Sequence, residues 1–397
     1  MNVLKRPGIL CIFLIFSILR GQGFSVVHVY PSGQGLLNVL VEPDSSRVVP
    51  IIFIYSESFS GIQLGAPSIK LTDSQVLFIS QKNRLLGVLT PGKLPANPTE
   101  PQKLELGVYT QADHPLSKIE DKVINTGKLP LFLISDAKHA PIQISPNGDR
   151  LKFYDNHGRF LREKRFSQNV PHNYEPPTGL FNDEGNRFIF YTRKFDMEND
   201  QMLPVLYMLS LIGEEIWKYQ LILNRLDAIT ISRTGNHVAV SGQTLNPAKP
   251  QALYQTIVFD SGGAIRSSFP YRATQIAFNP TENSLLIREE QSFKLIDLDT
   301  AGITLLQQPD SGRKIISDIV FLNDTTFAVV LGTEKYLDGQ RIYDNPEIDI
   351  YLTSGDRISH SRFDQDYSYS GKLLSSLSGE QLGFILQNRF VVLQREQ

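Results

Sequence analysis

The feature that most constrains this chain is a pair of alternating apolar runs joined by a short polar turn, repeated at blade-sized intervals. It is clearest at Pro141–Tyr154, which with Ala140 reads APIQISPNGDRLKFY. Weaker copies follow at Gly179–Tyr191, Ala228–Ser241, Gln275–Arg288 and Asp318–Val330. The position of Ser145 then falls on Asn182, Ser232, Asn279 and Leu322, at intervals of 37, 50, 47 and 43 residues. Alternation with period 2 marks half-buried strands. A repeat of this length in an all-β chain indicates β-propeller blades, each a four-stranded unit that must stack on its neighbours to bury both faces.

A second unit of strand, Gly-bearing turn and strand lies downstream of most copies, at Leu206–Leu221, Gln255–Phe269, Phe293–Leu306 and Ile348–Phe363. Together the two units supply strands A-B and C-D of each blade. Arg150–Phe166 fits the second template too, so Leu151–Tyr154 is claimed by both and the frame of that blade stays open. Counting from near Val76, Leu131, Gly179, Ala228, Gln275, Asp318 and Leu373 gives seven blades, with six or eight as alternatives. Leu373–Leu393 holds about three strands, so the alternating run Phe24–Tyr30 is expected to complete the last blade and close the ring. Leu116–Val123 is the best helical candidate and is short.

Residues 24–130 form a divergent N-terminal part and residues 131–397 carry the clear repeats. Pro91–Gln102 holds four prolines in twelve residues, which marks either a linker or a long loop within one ring; the loop is favoured because strand signals on both sides look alike. Before this, Lys5 and Arg6 precede an apolar run from Ile9 to Leu19, too short to span a bilayer and of signal-peptide length. Residues 1–23 therefore read as an export signal, and the chain as secreted, periplasmic or envelope-located. Membrane contact is expected only through that segment if it stays uncleaved. Its removal leaves 36 Lys and Arg against 41 Asp and Glu, a balance that carries no nucleic-acid signature. Cys11, the only cysteine, lies inside the apolar run, so the remaining chain has no disulfide, thiol nucleophile or cysteine-based zinc site.

In a propeller the A-B and C-D turns emerge on one face and the B-C and D-A connections on the other. Here the second class is long: Thr192–Leu203, Gly242–Ala252 and Leu331–Glu347 read as B-C loops, Ser167–Thr178 and Asp364–Gly371 as D-A loops. Long loops on a rigid ring are where binding groups gather. The candidate binding residues are His172, Tyr174, Arg193, Asp196, Glu198, Asp200, Tyr336, Asp338, Arg341, Tyr343, Asp364, Asp366, Tyr367 and Tyr369. Tyrosine beside Asp and Arg suits recognition of a peptide or sugar, although solvated loops carry such residues anyway. Asp196-Met-Glu-Asn-Asp200 imitates a calcium loop but has Gln201 where the glycine belongs and Tyr207 where the closing glutamate belongs, so no metal is expected. His139, His157 and His172 lack ligand spacing on one element.

The Ser145–Arg150 turn, Ser-Pro-Asn-Gly-Asp-Arg, resembles the Ser-Pro-Asp-Gly-Lys turn of bacterial TolB-like and WD40-like propellers. Leu206–Trp217 looks more like a quinoprotein-type repeat, but quinone enzymes dock their blades with many tryptophans and Trp217 stands alone, so no cofactor is expected. The resemblance covers roughly residues 131–393 and implies a fold, not an activity. No nucleophile elbow or phosphate loop is present. The function this points to is a monomeric, non-enzymatic platform that binds a protein, peptide or glycan through one loop-rich face. The alternatives are a carbohydrate-active hydrolase or lyase using loop carboxylates, and a structural part of a cell-envelope complex.

Overall fold

Alternation in the sequence becomes alternation in burial. Along Pro101–Tyr109, Gln102, Leu104, Leu106 and Val108 are buried while Pro101, Lys103 and Glu105 are exposed. Strands deeper in a blade are covered on both sides, and burial runs unbroken along them, from Val238 to Gly242 and from Phe293 to Ile296. Outer strands such as Phe160–Arg165 are polar and largely exposed.

The computed structural model describes residues 24–31, 52–56, 59–63, 68–70, 75–81, 85–97, 100–109, 115–124, 129–146, 148–166, 178–196, 201–244, 253–307, 314–337, 340–363, 369–375, 380–386 and 389–395. Among these no helix occurs, and Leu116–Val123 falls in the strand Ser117–Ile124. Seven four-stranded antiparallel blades follow the expected starts: residues 76–124, 131–165, 178–220, 225–269, 275–307, 315–362, and 369–395 completed by Phe24–Pro31. In the seventh, Phe24 lies opposite Arg395 and Pro31 opposite Arg389, so the N-terminal strand supplies the outermost position. A further three-stranded sheet, Ile52–Ser56, Phe59–Gln63 and Ser68–Lys70, was not in the count read from the repeats. Pro91–Gln102 joins the second and third strands of the first blade, where the Gly92 N–H donates to Lys103 O at 2.8 Å. The export segment 1–23 lies outside the described residues.

Strand A of one blade lies beside strand A of the next for the first and second blades and from the third through to the seventh. The core is partitioned accordingly, each cluster filling the gap between consecutive blades. Ile189, Leu206, Met208 and Trp217 of the third blade meet Val238, Val240, Ile257 and Phe259 of the fourth. Ala239, Val258 and Phe269 of the fourth meet Leu285, Ile287 and Ile296 of the fifth. Each fully buried Val, Leu, Ile, Met or Phe among them contributes about 1.5 to 3 kcal/mol. Between blades, Gly-bearing C-D turns rest on the preceding blade: a Cβ on Gly263 (φ +84°) would stand 2.8 Å from the Trp217 ring, and one on Gly355 2.8 Å from Leu305.

The polar turn of the repeat has a definite job. Its first side chain accepts the backbone N–H five residues on, at 2.9 Å for Ser80 from Leu85, 2.8 Å for Asn182 from Arg187, 3.0 Å for Ser232 from His237 and 2.8 Å for Asn279 from Ser284. In the third, fourth and fifth blades the residue three after it has positive φ, which Gly185 and Gly235 meet at no steric cost and Glu282 adopts as well. Ser145–Arg150 has the same geometry, with Gly148 at φ 67° and the Arg150 N–H donating to Ser145 Oγ at 3.0 Å. Yet it joins the second and third strands of its blade, Pro141–Ile144 and Arg150–Tyr154, whereas the other copies join first to second. The true counterpart is Ser135–Ala140, 47 residues before Asn182, where His139 carries the positive φ one place later. The clearest copy of the motif therefore sits on the opposite face from the rest.

Candidate functional site

Short turns crowd one face, and their polar groups are largely spent on one another. Ser80 Oγ donates to Asp136, joining the first and second blades. Asn182 Nδ2 donates to Arg233 O at 3.0 Å and Arg187 Nη1 to Gly235 O at 2.7 Å, third to fourth. Thr234 Oγ1 donates to Glu282 at 2.8 Å, fourth to fifth, and the Thr281 N–H to Asp324 at 2.8 Å, fifth to sixth.

The opposite face is built from strands that run on. The expected loop at Thr192–Leu203 is instead a hairpin, paired to Asp196 opposite Gln201. Leu331–Glu347 is likewise a hairpin, paired to Leu337 opposite Gln340. Their first strands stop earlier, at Thr178 opposite Tyr191 and Ile315 opposite Gly332, so both hairpins project past their blades. The polar tips disguised this, because Asp, Glu and Asn read as turn formers although each extended ladder supplies several backbone hydrogen bonds. In the fourth blade the ladder reaches Thr244 opposite Leu253.

The sequence-selected residues divide unevenly. Arg193 donates to Asn224 O at 2.9 Å and to Tyr191 Oη at 3.3 Å, strapping the third-blade hairpin to the connection entering the fourth blade. Asp196 sits at the hairpin end, and Arg341 lies opposite Tyr336, whose side chain is 69% exposed. Tyr343 is only 7% exposed and packs with Val330, Ile348 and Leu373, which commits its ring to the core rather than to a ligand. Tyr369 lies opposite Tyr343 and pins the seventh blade to the sixth. His172, Tyr174, Glu198, Asp200, Asp338, Asp364, Asp366 and Tyr367 lie outside the described residues.

A cluster that the sequence reading passed over stands on this face at the fourth blade. Pairing in Arg225–Ile231 slips between Leu226 and Ala228, so Asp227 is the extra residue of a β-bulge. The partner strand supplies Gly242 there; a Cβ on it would meet Arg225 O at 2.0 Å. Asp227, its side chain 6% exposed, receives Arg272 Nε at 3.0 Å and Arg225 Nε at 3.7 Å. The Arg272 guanidinium lies 5.0 Å from the centre of the Tyr254 ring, and its hydrogen bond to Asp227 holds its pKa above the usual value. Gln243 stands opposite both Arg225 and Tyr254, which places the three on one side of the sheet. Ile222 and Leu253 beside them are more than half exposed, joined through Thr244, which bonds Ile222 O at 3.1 Å and pairs with Leu253. Gly242 within an apolar strand was the legible signal, since interior glycine marks a bulge or close approach.

At the sixth blade Glu347 binds Lys314 Nζ at 2.7 Å and Arg362 Nε at 2.6 Å. Burial works to raise its pKa, but the two cations prevail and hold it below the ordinary glutamate value. Nearer the axis, Asp318 is fully enclosed. Its carboxylate receives Gln275 Nε2 at 2.6 Å, the Ile319 N–H at 3.0 Å and the Leu373 N–H, joining strands A of the fifth, sixth and seventh blades. Burial nonetheless pushes its pKa up, against those donors and Arg288. Held in this way, Asp227, Glu347 and Asp318 act as fasteners; the surface over Asp227 offers guanidinium and tyrosine groups, with Leu253 on the other side of the same strand end, a set suited to recognition.

No family model matches the sequence, and no curated protein matches it. Solved structures do. BamB from Moraxella catarrhalis is similar over 94% of this chain and 99% of its own, at 12% identity and a TM-score of 0.54. The Dos1 propeller is similar over 94% of this chain and 95% of its own, at 8% identity and a TM-score of 0.56. These likenesses support the propeller resemblance carried by the Ser145–Arg150 turn, at the level of fold.

Proposed function

We propose that this propeller is an exported, non-enzymatic binding platform that recognises a protein, peptide or glycan through its hairpin face. The observation that carries the reading is the contrast in how the two faces use their polar groups. Turn-face side chains are engaged blade to blade, from Ser80 to Asp324. The hairpin face presents projecting strands and, at the fourth blade, Ile222, Leu253, Tyr254 and Arg272 toward solvent. Arg and Tyr are the residues that most often dominate interface energetics. Among the sequence-selected groups, Arg193, Asp196, Tyr336 and Arg341 share this face with them. Export rests on Lys5, Arg6 and the apolar run Ile9–Leu19.

The test is a combined peptide and glycan array probed with the full chain, together with fractionation of the producing cells. Binding to one chemical class, weakened by substitutions at the hairpin face and unaffected by turn-face substitutions, is the expected result. Silence on every array at high protein concentration counts against the platform, and retention of the chain in the cytoplasm counts against export.

A further inference from the structure

Resting on the platform reading, we infer that the fourth-blade cluster is a docking site for an extended acidic segment of a partner protein, in which carboxylates alternate with large apolar side chains. Two guanidinium groups converge on Asp227 and stay accessible, Arg225 with 57% and Arg272 with 41% of the side chain exposed. The carboxylate that hydrogen-bonds Arg272 and pairs with Arg225 at 3.7 Å is itself 6% exposed, so an incoming carboxylate meets an Arg272 guanidinium already fixed in place. The Arg272 guanidinium also lies over the Tyr254 ring, 5.0 Å from its centre. A planar guanidinium in a fixed orientation matches the two oxygens of a carboxylate.

The apolar half of the site decides between a peptide and a sugar. Ile222 and Leu253 stand out from two neighbouring elements, the connection from the third blade and the start of the strand Leu253–Phe259. Aliphatic side chains gain nothing from hydroxyl groups, whereas a leucine or phenylalanine laid between them removes apolar surface from water on both partners. Tyr254 shares the sheet side of Arg225, while Leu253 points to the other side. An occupant that alternates charged and apolar residues satisfies both sides at once.

The probe is an array of peptides of about twelve residues alternating Asp or Glu with Leu, Phe or Trp, each beside its Asn or Gln counterpart, with neutral and basic peptides and neutral glycans alongside. The full chain is expected to bind the acidic members at least tenfold better than their amide counterparts, and to lose at least tenfold in affinity between about 50 and 500 mM NaCl. Arg225→Gln and Leu253→Glu should each weaken that binding at least fivefold with an unchanged thermal midpoint. Both side chains are largely exposed, and Arg272 is left intact because its removal would strand a buried carboxylate. Equal binding of acidic and amide peptides, or wild-type binding by both variants, overturns the inference. Neutral peptides or glycans captured at the hairpin face while acidic peptides are ignored overturn it and leave the platform standing. Capture of nothing at all overturns both.

Discussion

On the turn face, a Ser or Asn folds back on its own loop, a glycine or its substitute takes positive φ, and the loops of the first, third, fourth and fifth blades reach the next blade within hydrogen-bond distance. On the hairpin face the same strands overshoot. They are held at their base by ion pairs at Asp227 and Glu347, and beyond it by their own ladders and by contacts that differ from blade to blade, such as Arg193 on Asn224 O and the pairing of Tyr343 with Tyr369. One face repeats because every blade must meet the next in the same way; the other is free to differ between blades. The third and sixth blades project, while the second closes with the five-residue turn at Ser145.

The sharpest way to break this contrast is to attack the blade-to-blade fit. Gly263→Val places a β-branched side chain at φ +84° against Trp217 and should cost about 3 kcal/mol or more, read from the urea midpoint. An equal loss on a hairpin-tip substitution would show the two faces to be alike. Asp318→Ala leaves Gln275 Nε2 and the Ile319 and Leu373 N–H groups without their acceptor and should cost about 3 kcal/mol in the same measurement.

The pH dependence separates the two buried acids. Glu347 has a depressed pKa, so its contribution is present above its unfolded value near 4.5 and is lost as pH falls through the folded value. Asp318 is raised, so its effect has the opposite sign: it favours folding below about 3.8 and is lost as pH rises through the folded value. Glu347→Gln should lower stability by about 1 kcal/mol at neutral pH and flatten the acid limb of a midpoint-versus-pH curve. Asp318→Asn should remove the decline on the rising side. If both variants change the same limb, the assignment of signs is wrong. The smallest effect belongs to Tyr336→Ala, where a side chain 69% exposed at a hairpin end should change stability by less than about 0.5 kcal/mol.

Blade starts, their number and the pairing of the N-terminal strand were readable because alternation and period report burial directly. What misled was local likeness. Ser145-Pro-Asn-Gly148 specifies a turn geometry, and a turn of that geometry serves equally well on either end of a sheet. Its outlying 37-residue interval carried the warning, and Ser135, with His139 in place of a well-placed glycine, hid the true copy. The hairpin extensions were missed because Arg193–Asp196 and Thr333–Leu337 mix charged residues with a few apolar ones and show no sustained alternation, so nothing in their pattern distinguishes a projecting ladder from a loop. The Asp227 cluster depends on a bulge and on residues from four separate segments, which no linear motif records.

Phe24 lies opposite Arg395, so the last sheet joins the earliest described strand to the latest. Its ladder is the longest-range contact among the described residues, and the entropy of closing so large a loop is met only when the intervening blades are already in place. Until then the seventh blade offers the bare edge of Arg389–Arg395 to any strand nearby, including one from another copy. A chain lacking either Phe24–Pro31 or Arg389–Arg395 therefore forfeits the final sheet rather than a dispensable tail.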